Sequence, residues 1–329
     1  MKKFINRIDD LLVESLSGFA AAHRDLVSLH LDPNYLVRAQ QAQNKVALIS
    51  GGGSGHEPLH TGFIGRGMLD AACPGHVFTS PTPDQMMAAA EAVESGKGVL
   101  FIVKNYAGDV MNFEMAAEML PFDHATVLTS DDVAVENSTY TTGRRGVAGT
   151  VIVEKCVGSL AETGADLAAC KALGEKVNSR TASMGVALTS CTVPAAGRPT
   201  FDIAQHELEM GVGIHGEPGR RREQMRTADA IVADLVGAIL EDLKPAAGSE
   251  VLLMVNGFTG TPLMELYVLY NAAAKLLEQR GLRIARALVG DYVTSLEMAG
   301  ASITVCVLDE EIMQHWDSPV HTAALRWGC

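Results

Sequence analysis

The sequence predicts an α/β protein of two domains. In the first half, short apolar runs alternate with longer helical patterns, as in parallel strands joined by helical crossovers and covered on both faces. The second half shows a strand set of its own. At 329 residues the chain also exceeds what one compact core fills.

The elements follow in order. MKKFINRIDDLLVESL reads as an amphipathic helix with Phe4, Ile5, Ile8, Leu11, Leu12 and Leu16 on one face. Asp9 and Asp10 interrupt any signal-peptide core. KVALIS at 45–50, HVFTS at 76–80, GVLFIVKN at 98–105 and ATVLTS at 125–130 read as strands, with helices over 84–96, 110–120 and 145–163. The polar helical stretch 165–183, ending in NSRTAS, places a boundary between domains 1–180 and 181–329. MGVALTSCTV, SEVLLMVN, RIARALVG and SITVCVLD are the later strands, with helices over 224–243 and 262–280. Ligands of parallel sheets bind beyond the carboxyl ends of the strands. Gly51–His56, Ser80–Asp84 and Lys104–Asp109 all fall there.

Charge and composition exclude several classes. A net charge of −13 argues against non-specific nucleic-acid binding. No run of eighteen apolar residues exists to span a membrane, and a cytosolic protein is expected. Cys73, Cys156, Cys170, Cys191, Cys306 and Cys329 form no CxxC pair and read as reduced thiols, mostly in the core. Arg220, Arg221 and Arg222, with Arg226 a turn later, read either as a solvated helix start or as a docking spot for an acidic or phosphate-bearing partner.

Two histidines lie in glycine-rich segments. His56 closes GGGSGHEP after an apolar strand, and His215 sits in GVGIHGEPG. Glycine permits close backbone approach to a ligand. A histidine beside bare amides suits attack on a carbonyl with stabilisation of the oxyanion. HEPLH matches HExxH formally, but Pro58 is tolerated only in a first helical turn, which leaves His56 outside the helix. No metal site is expected. The glycine run lacks GK[ST], so no nucleotide is expected on this chain. In KNYAGD, Asp109 stands near a helix start, where it either caps the helix or serves as a base for a substrate hydroxyl.

GGGSGHEP, CPG with FTSPTPDQ, VKNYAGDVMNFE, TTGRRGVAGT, CTVPAAG, GVGIHGEPG and SPVHTAALRWG together closely resemble the DhaK family, the substrate-binding subunits of dihydroxyacetone kinases. The resemblance runs from the first helix to Gly328. It implies a three-layer α/β/α domain with a mainly parallel sheet, joined to a second α/β domain with a mixed sheet. It further implies that His215 attacks the ketone to form a covalent hemiaminal, and that Gly53, Ser54, Gly55 and His56 bind the substrate's oxygens. His56 would polarise a hydroxyl or the new oxyanion, Asp109 would take the terminal hydroxyl's proton, and Lys104 would help position the sugar. The expected assembly is a homodimer working with an L-type subunit that carries a Mg-bound nucleotide, recharged by an M-type phosphotransferase protein. The chain would be the separate subunit, without a fused nucleotide domain. Two other roles keep these motifs: a dihydroxyacetone-sensing transcriptional co-activator, and a kinase subunit for a four-carbon ketose. The segment between GRRREQ and SEVLL is short compared with many relatives.

Overall fold

The computed structural model describes residues 2–135 and 143–329. Thr141 and Thr142 of the TTGRRGVAGT motif lie outside the described residues. The first helix, α1 (Leu11–Ala22), begins only after Asp10 and buries Leu12 and Leu16. Phe4 and Ile8 are exposed, so the expected helix from the N-terminus is shortened. Asp9 and Asp10 sit where polar side chains favour a helix start over its interior. A hairpin that the sequence pattern did not announce follows, β1 (Val27–His30) and β2 (Tyr35–Arg38).

Strand β3 (Ala47–Ser54) carries Gly51, Gly52 and Gly53 inside it. The glycine run therefore begins as strand, and the loop starts only near Gly55. After β4 (Gly65–Arg66) comes β5 (Ala71–Val77), which precedes the expected 76–80 strand and includes Pro74 and Gly75. Pairing with β3 keeps this Pro-Gly step extended, with Gly51 opposite Cys73 and Gly52 opposite Pro74. The rest of the layer is α2 (Pro83–Val93), β6 (Val99–Lys104), α3 (Ala107–Met119), β7 (His124–Thr129), α4 (Gly149–Glu162) and α5 (Leu167–Ser179). The sheet order is β1-β2-β5-β3-β6-β7, in which β5, β3, β6 and β7 run parallel.

The second sheet comprises β8 (Thr181–Ala187), β9 (Glu207–Met210), β10 (Arg221–Gln224), β11 (Glu250–Gly257), β12 (Arg283–Gly290) and β13 (Gly300–Val307). Its order is β10-β9-β8-β13-β11-β12, and only the β11–β12 pair is parallel. Helices α6 (Ala228–Leu243) and α7 (Leu263–Gln279) pack on it. The sheet is mixed, as the resemblance implied.

The last segment returns to the first half. There α8 (Glu310–Asp317) packs on α4, while β14 (Val320–Thr322) pairs with both β4 and β15 (Arg326–Trp327). Helix α4 is thereby enclosed, and even Glu154 and Lys155 are fully buried. One apolar cluster runs from Leu48 and Leu100 through Val151 and Val157 to Leu252, Met254 and Trp316, so both halves share a core.

Candidate functional site

The end of β3, the N-terminus of α3 and the segment between β9 and β10 meet at the carboxyl edge of the parallel sheet. His56 and His215 come from opposite halves of the chain, and their rings lie edge to face with centroids 4.7 Å apart. Phe78 stacks on His56 at 4.9 Å. Its own φ of 56° is uncommon for a bulky side chain, a strain that the surrounding packing must hold. Tyr106 stands perpendicular to the His215 ring at 4.7 Å.

Hydrogen bonds define which ring nitrogen of each histidine is free. His56 is buried and its Nδ1 lies 2.7 Å from the Thr294 carbonyl, so Nδ1 carries the proton. Nε2 is then a lone pair, and it has no partner among the described residues. Burial, and then the neighbouring His215, push His56 well below the ordinary histidine range. The neutral ring can accept a proton or a hydrogen bond at Nε2 but cannot donate one there.

His215 is arranged the same way by a different partner. Glu217 Oε1 lies 2.8 Å from His215 Nδ1, and Glu217 Oε2 accepts the His215 backbone N–H at 2.9 Å. Burial alone would raise the Glu217 pKa. The His215 ring, by charge and hydrogen bond, and then Arg145 hold it down at about 2. An ionised Glu217 beside Nδ1 favours the tautomer that carries its proton there, which leaves that tautomer's lone pair on Nε2. Gly213 makes room for this turn, because a Cβ there would overlap the Glu217 carboxylate.

Lys104 and Asp109 form the other wall. Lys104, buried at the end of β6, lies 3.2 Å from the Gly51 carbonyl and 3.5 Å from Asp109 Oδ2. A Cβ on Gly52 would overlap the ammonium, so only glycine admits Lys104 here. Asp109 is buried in the first turn of α3, whose N-cap residue is Tyr106. The first turn of a helix favours a carboxylate.

Other residues of the glycine segment are placed less directly. The Ser54 hydroxyl donates to the Gly75 carbonyl at 2.7 Å, and the Gly55 N–H donates to Glu57 at 2.9 Å. Gly53 is pressed against the Phe78–Thr79 backbone, where a Cβ would lie 2.6 Å from Thr79 N. A cavity of about 210 Å³ opens on the α1 side of this segment, bounded by Leu12, Leu16, Gly53, Ser54, His60 and Thr61. His56, His215 and Asp109 do not line this cavity.

Residues 56–60 form turns and not a helix. His56 is engaged with Thr294, and His60 with Glu154 and Lys104, so the HEPLH histidines do not share one helix face. The arginine cluster is an edge strand rather than a helix start. Arg221 and Arg226 pair with Glu223 and Asp234, Arg222 pairs with Glu209, and Arg220 donates to backbone carbonyls. Its charge is thus largely met within the fold. Among the described residues no helix is long and apolar enough to cross a membrane. Sequence reasoning gave no role to Glu217, Tyr106, Thr294, Arg145 or Glu154, and weighed His60 only within HEPLH. Glu217, Tyr106 and Arg145 stand inside the recognised motifs, whereas Thr294 and Glu154 carried no local signal.

The comparisons identify the family. Residues 17–324 match the Dak1 domain, and the chain belongs to that family. It is 48% identical, over all of both chains, to the Escherichia coli PEP-dependent dihydroxyacetone kinase, dihydroxyacetone-binding subunit DhaK. Among solved structures it is similar to the dihydroxyacetone kinase operon co-activator DhaQ, at 33% identity and a TM-score of 0.89 over 97% of this chain and 98% of that one. It is also similar to the dihydroxyacetone kinase of C. freundii, at 36% identity and a TM-score of 0.87, covering 98% of this chain and 60% of that one.

Proposed function

We propose that this chain is the dihydroxyacetone-binding subunit of a phosphotransferase-system-linked dihydroxyacetone kinase and holds its ketose as a hemiaminal on His215. The observation that carries this reading is the Glu217–His215 contact, which aims a lone pair at Nε2 beside the unpartnered Nε2 of His56. In the capture step the Nε2–carbon bond forms while the carbonyl π pair moves to oxygen, which takes a proton from bulk water and leaves the hydroxide to the solvent, while the ring keeps its Nδ1–H and becomes cationic. The Glu217 carboxylate offsets the positive charge that grows on the ring. A hemiaminal requires a carbonyl, so glycerol is rejected.

His56 then accepts a hydrogen bond from a substrate hydroxyl. Its free nitrogen is an acceptor, which suits a hydroxyl better than an oxyanion. Asp109 takes the proton of the terminal hydroxyl as it attacks phosphorus, with Lys104 alongside; Gly53, Ser54 and Gly55 line the substrate's oxygens. The phosphoryl group comes from a Mg-bound nucleotide on a separate L-type subunit, recharged by an M-type protein. The working form is a cytoplasmic homodimer.

The likeness to the co-activator supports a second reading, a dihydroxyacetone sensor, since capture alone would serve both. Reconstitution with an L-type subunit and a panel of short ketoses decides. Phosphorylation of dihydroxyacetone is expected. Capture without turnover would favour the sensor, and preference for a four-carbon ketose would reassign the substrate.

A further inference from the structure

Behind the site a line of four ionisable groups runs into the core. Lys104 Nζ lies 3.5 Å from Asp109 Oδ2 and 3.0 Å from His60 Nε2, and His60 Nδ1 lies 2.7 Å from Glu154 Oε1. All four are buried, with Glu154 at 0% exposure inside α4. Glu154 Oε2 accepts no hydrogen bond of good geometry among the described residues, because the neighbouring Ser50 hydroxyl donates to the Ile102 carbonyl at 2.6 Å. Apolar side chains of similar volume would often fill such a space with no loss of stability. A line of this kind therefore calls for a reason beyond packing.

Two arrangements of protons satisfy these contacts. In the first, the Lys104 ammonium donates to His60 Nε2, and His60 Nδ1–H donates to the Glu154 carboxylate. In the second, the Glu154 carboxyl O–H donates to Nδ1, and Nε2–H donates to the Lys104 amine. They interconvert by two coupled transfers. One Lys104 N–H bond breaks as Nε2–H forms, and Nδ1–H breaks as the Glu154 O–H forms, so net charge is unchanged. The half-satisfied buried carboxylate favours the second arrangement. An ionised Asp109, beside the ammonium, favours the first.

We propose that His60 and Glu154 are positioning residues that keep the Lys104 proton in step with Asp109. Lys104 is an ammonium while Asp109 is ionised, and it passes its proton through His60 to Glu154 when Asp109 takes the substrate's proton. Other titratable groups facing the line are His56, from the glycine segment, and Tyr106, which faces Asp109. Burial pushes Glu154 up to about 8, so its carboxylate readily takes a proton near pH 7, and burial with the Lys104 charge pushes His60 well below the ordinary histidine range, so its ring is neutral in both arrangements. The inference rests on the reading of Asp109 as the base.

The test uses the full chain. Imidazole ¹⁵N NMR should find His60 as the Nδ1–H tautomer in the wild type and shifted toward Nε2–H in Asp109→Asn, which removes the selecting charge. An unchanged tautomer, or a His60 imidazolium, would overturn the proposal. His60→Gln keeps an acceptor for Lys104 and a donor for Glu154 but cannot pass a proton. With an L-type subunit it should lower kcat by roughly 10²-fold, the lower end of what loss of a proton-transferring group costs, with KM little changed and capture on His215 intact. Wild-type kcat in His60→Gln, where the wild type turns over, would also overturn it. A wild type without turnover would instead count against the proposed function, and the tautomer comparison would still decide this one.

Discussion

Glu217 grips His215 twice, through Oε1 to the ring Nδ1 and through Oε2 to the backbone N–H, at 2.8 and 2.9 Å. One carboxylate thus fixes the tautomer, the ring orientation and the turn that presents the ring. The adjacent His56 is fixed by a carbonyl, that of Thr294, at 2.7 Å. Both rings therefore turn an unprotonated nitrogen toward the same cleft when neutral.

Glu217→Gln tests the first contact. The glutamine amide can donate to Nδ1 and so select the Nε2–H tautomer, which has no lone pair at the attacking atom. Capture of dihydroxyacetone should weaken by roughly 10- to 100-fold, since a hydrogen bond to a charged group is lost. Calorimetric titration of wild type and variant measures this. Because Glu217 is depressed to about 2 in the folded chain, its contribution to stability is complete above about pH 4.5 and is lost as pH falls toward 2. Urea melts of wild type and Glu217→Gln should converge over that window.

His56 and His60 have linkage of the same sign in a higher pH window. Both are held neutral by burial, with folded pKa values well below 6.5. Below about pH 6.5 the unfolded chain binds protons that the folded chain refuses, so stability declines with acidification. The midpoint of urea unfolding should fall between pH 7 and 5.5, and replacing His60 by glutamine should flatten that slope.

Asp109→Asn should retain capture and lose turnover by ~10²–10⁴, the usual cost of removing a general base. His215→Ala should instead abolish capture and weaken discrimination against glycerol. Steady-state rates with an L-type subunit, beside ligand binding to the isolated chain, separate the two. Near wild-type turnover in Asp109→Asn would leave Asp109 a first-turn carboxylate paired with Lys104 and make His56 the candidate base.

Gly52→Ala should displace Lys104, because the new methyl would occupy the ammonium's place. Turnover should drop while the chain still folds, since Gly52 lies near the end of β3 and away from the apolar centre of the sheet. A thermal melt and a rate assay on the same preparation test both halves of that statement.

The sequence revealed His56, His215, Lys104 and Asp109 because each sits in a short segment with its own glycine or helix-start signature. Strands β6, β11 and β12 were legible from continuous or alternating apolar runs. Strand β5 was not, because AACPG resembles a turn until β3 pairs with it. Strands β9, β10 and β14 are short and polar, and depend on partners far along the chain. Thr294 and Glu154 were hidden for the same reason: Thr294 reaches His56 across 238 residues and Glu154 reaches His60 across 94. Such pairings leave no local periodicity to read.

The central claim is a covalent bond at one atom. A crystal structure of the wild-type chain soaked with dihydroxyacetone should show continuous density from His215 Nε2 to the ketone carbon, now tetrahedral, with His215 Nδ1 still on Glu217. Well-ordered ligand whose density stops short of the ring, or a bond at any other residue, would contradict the account.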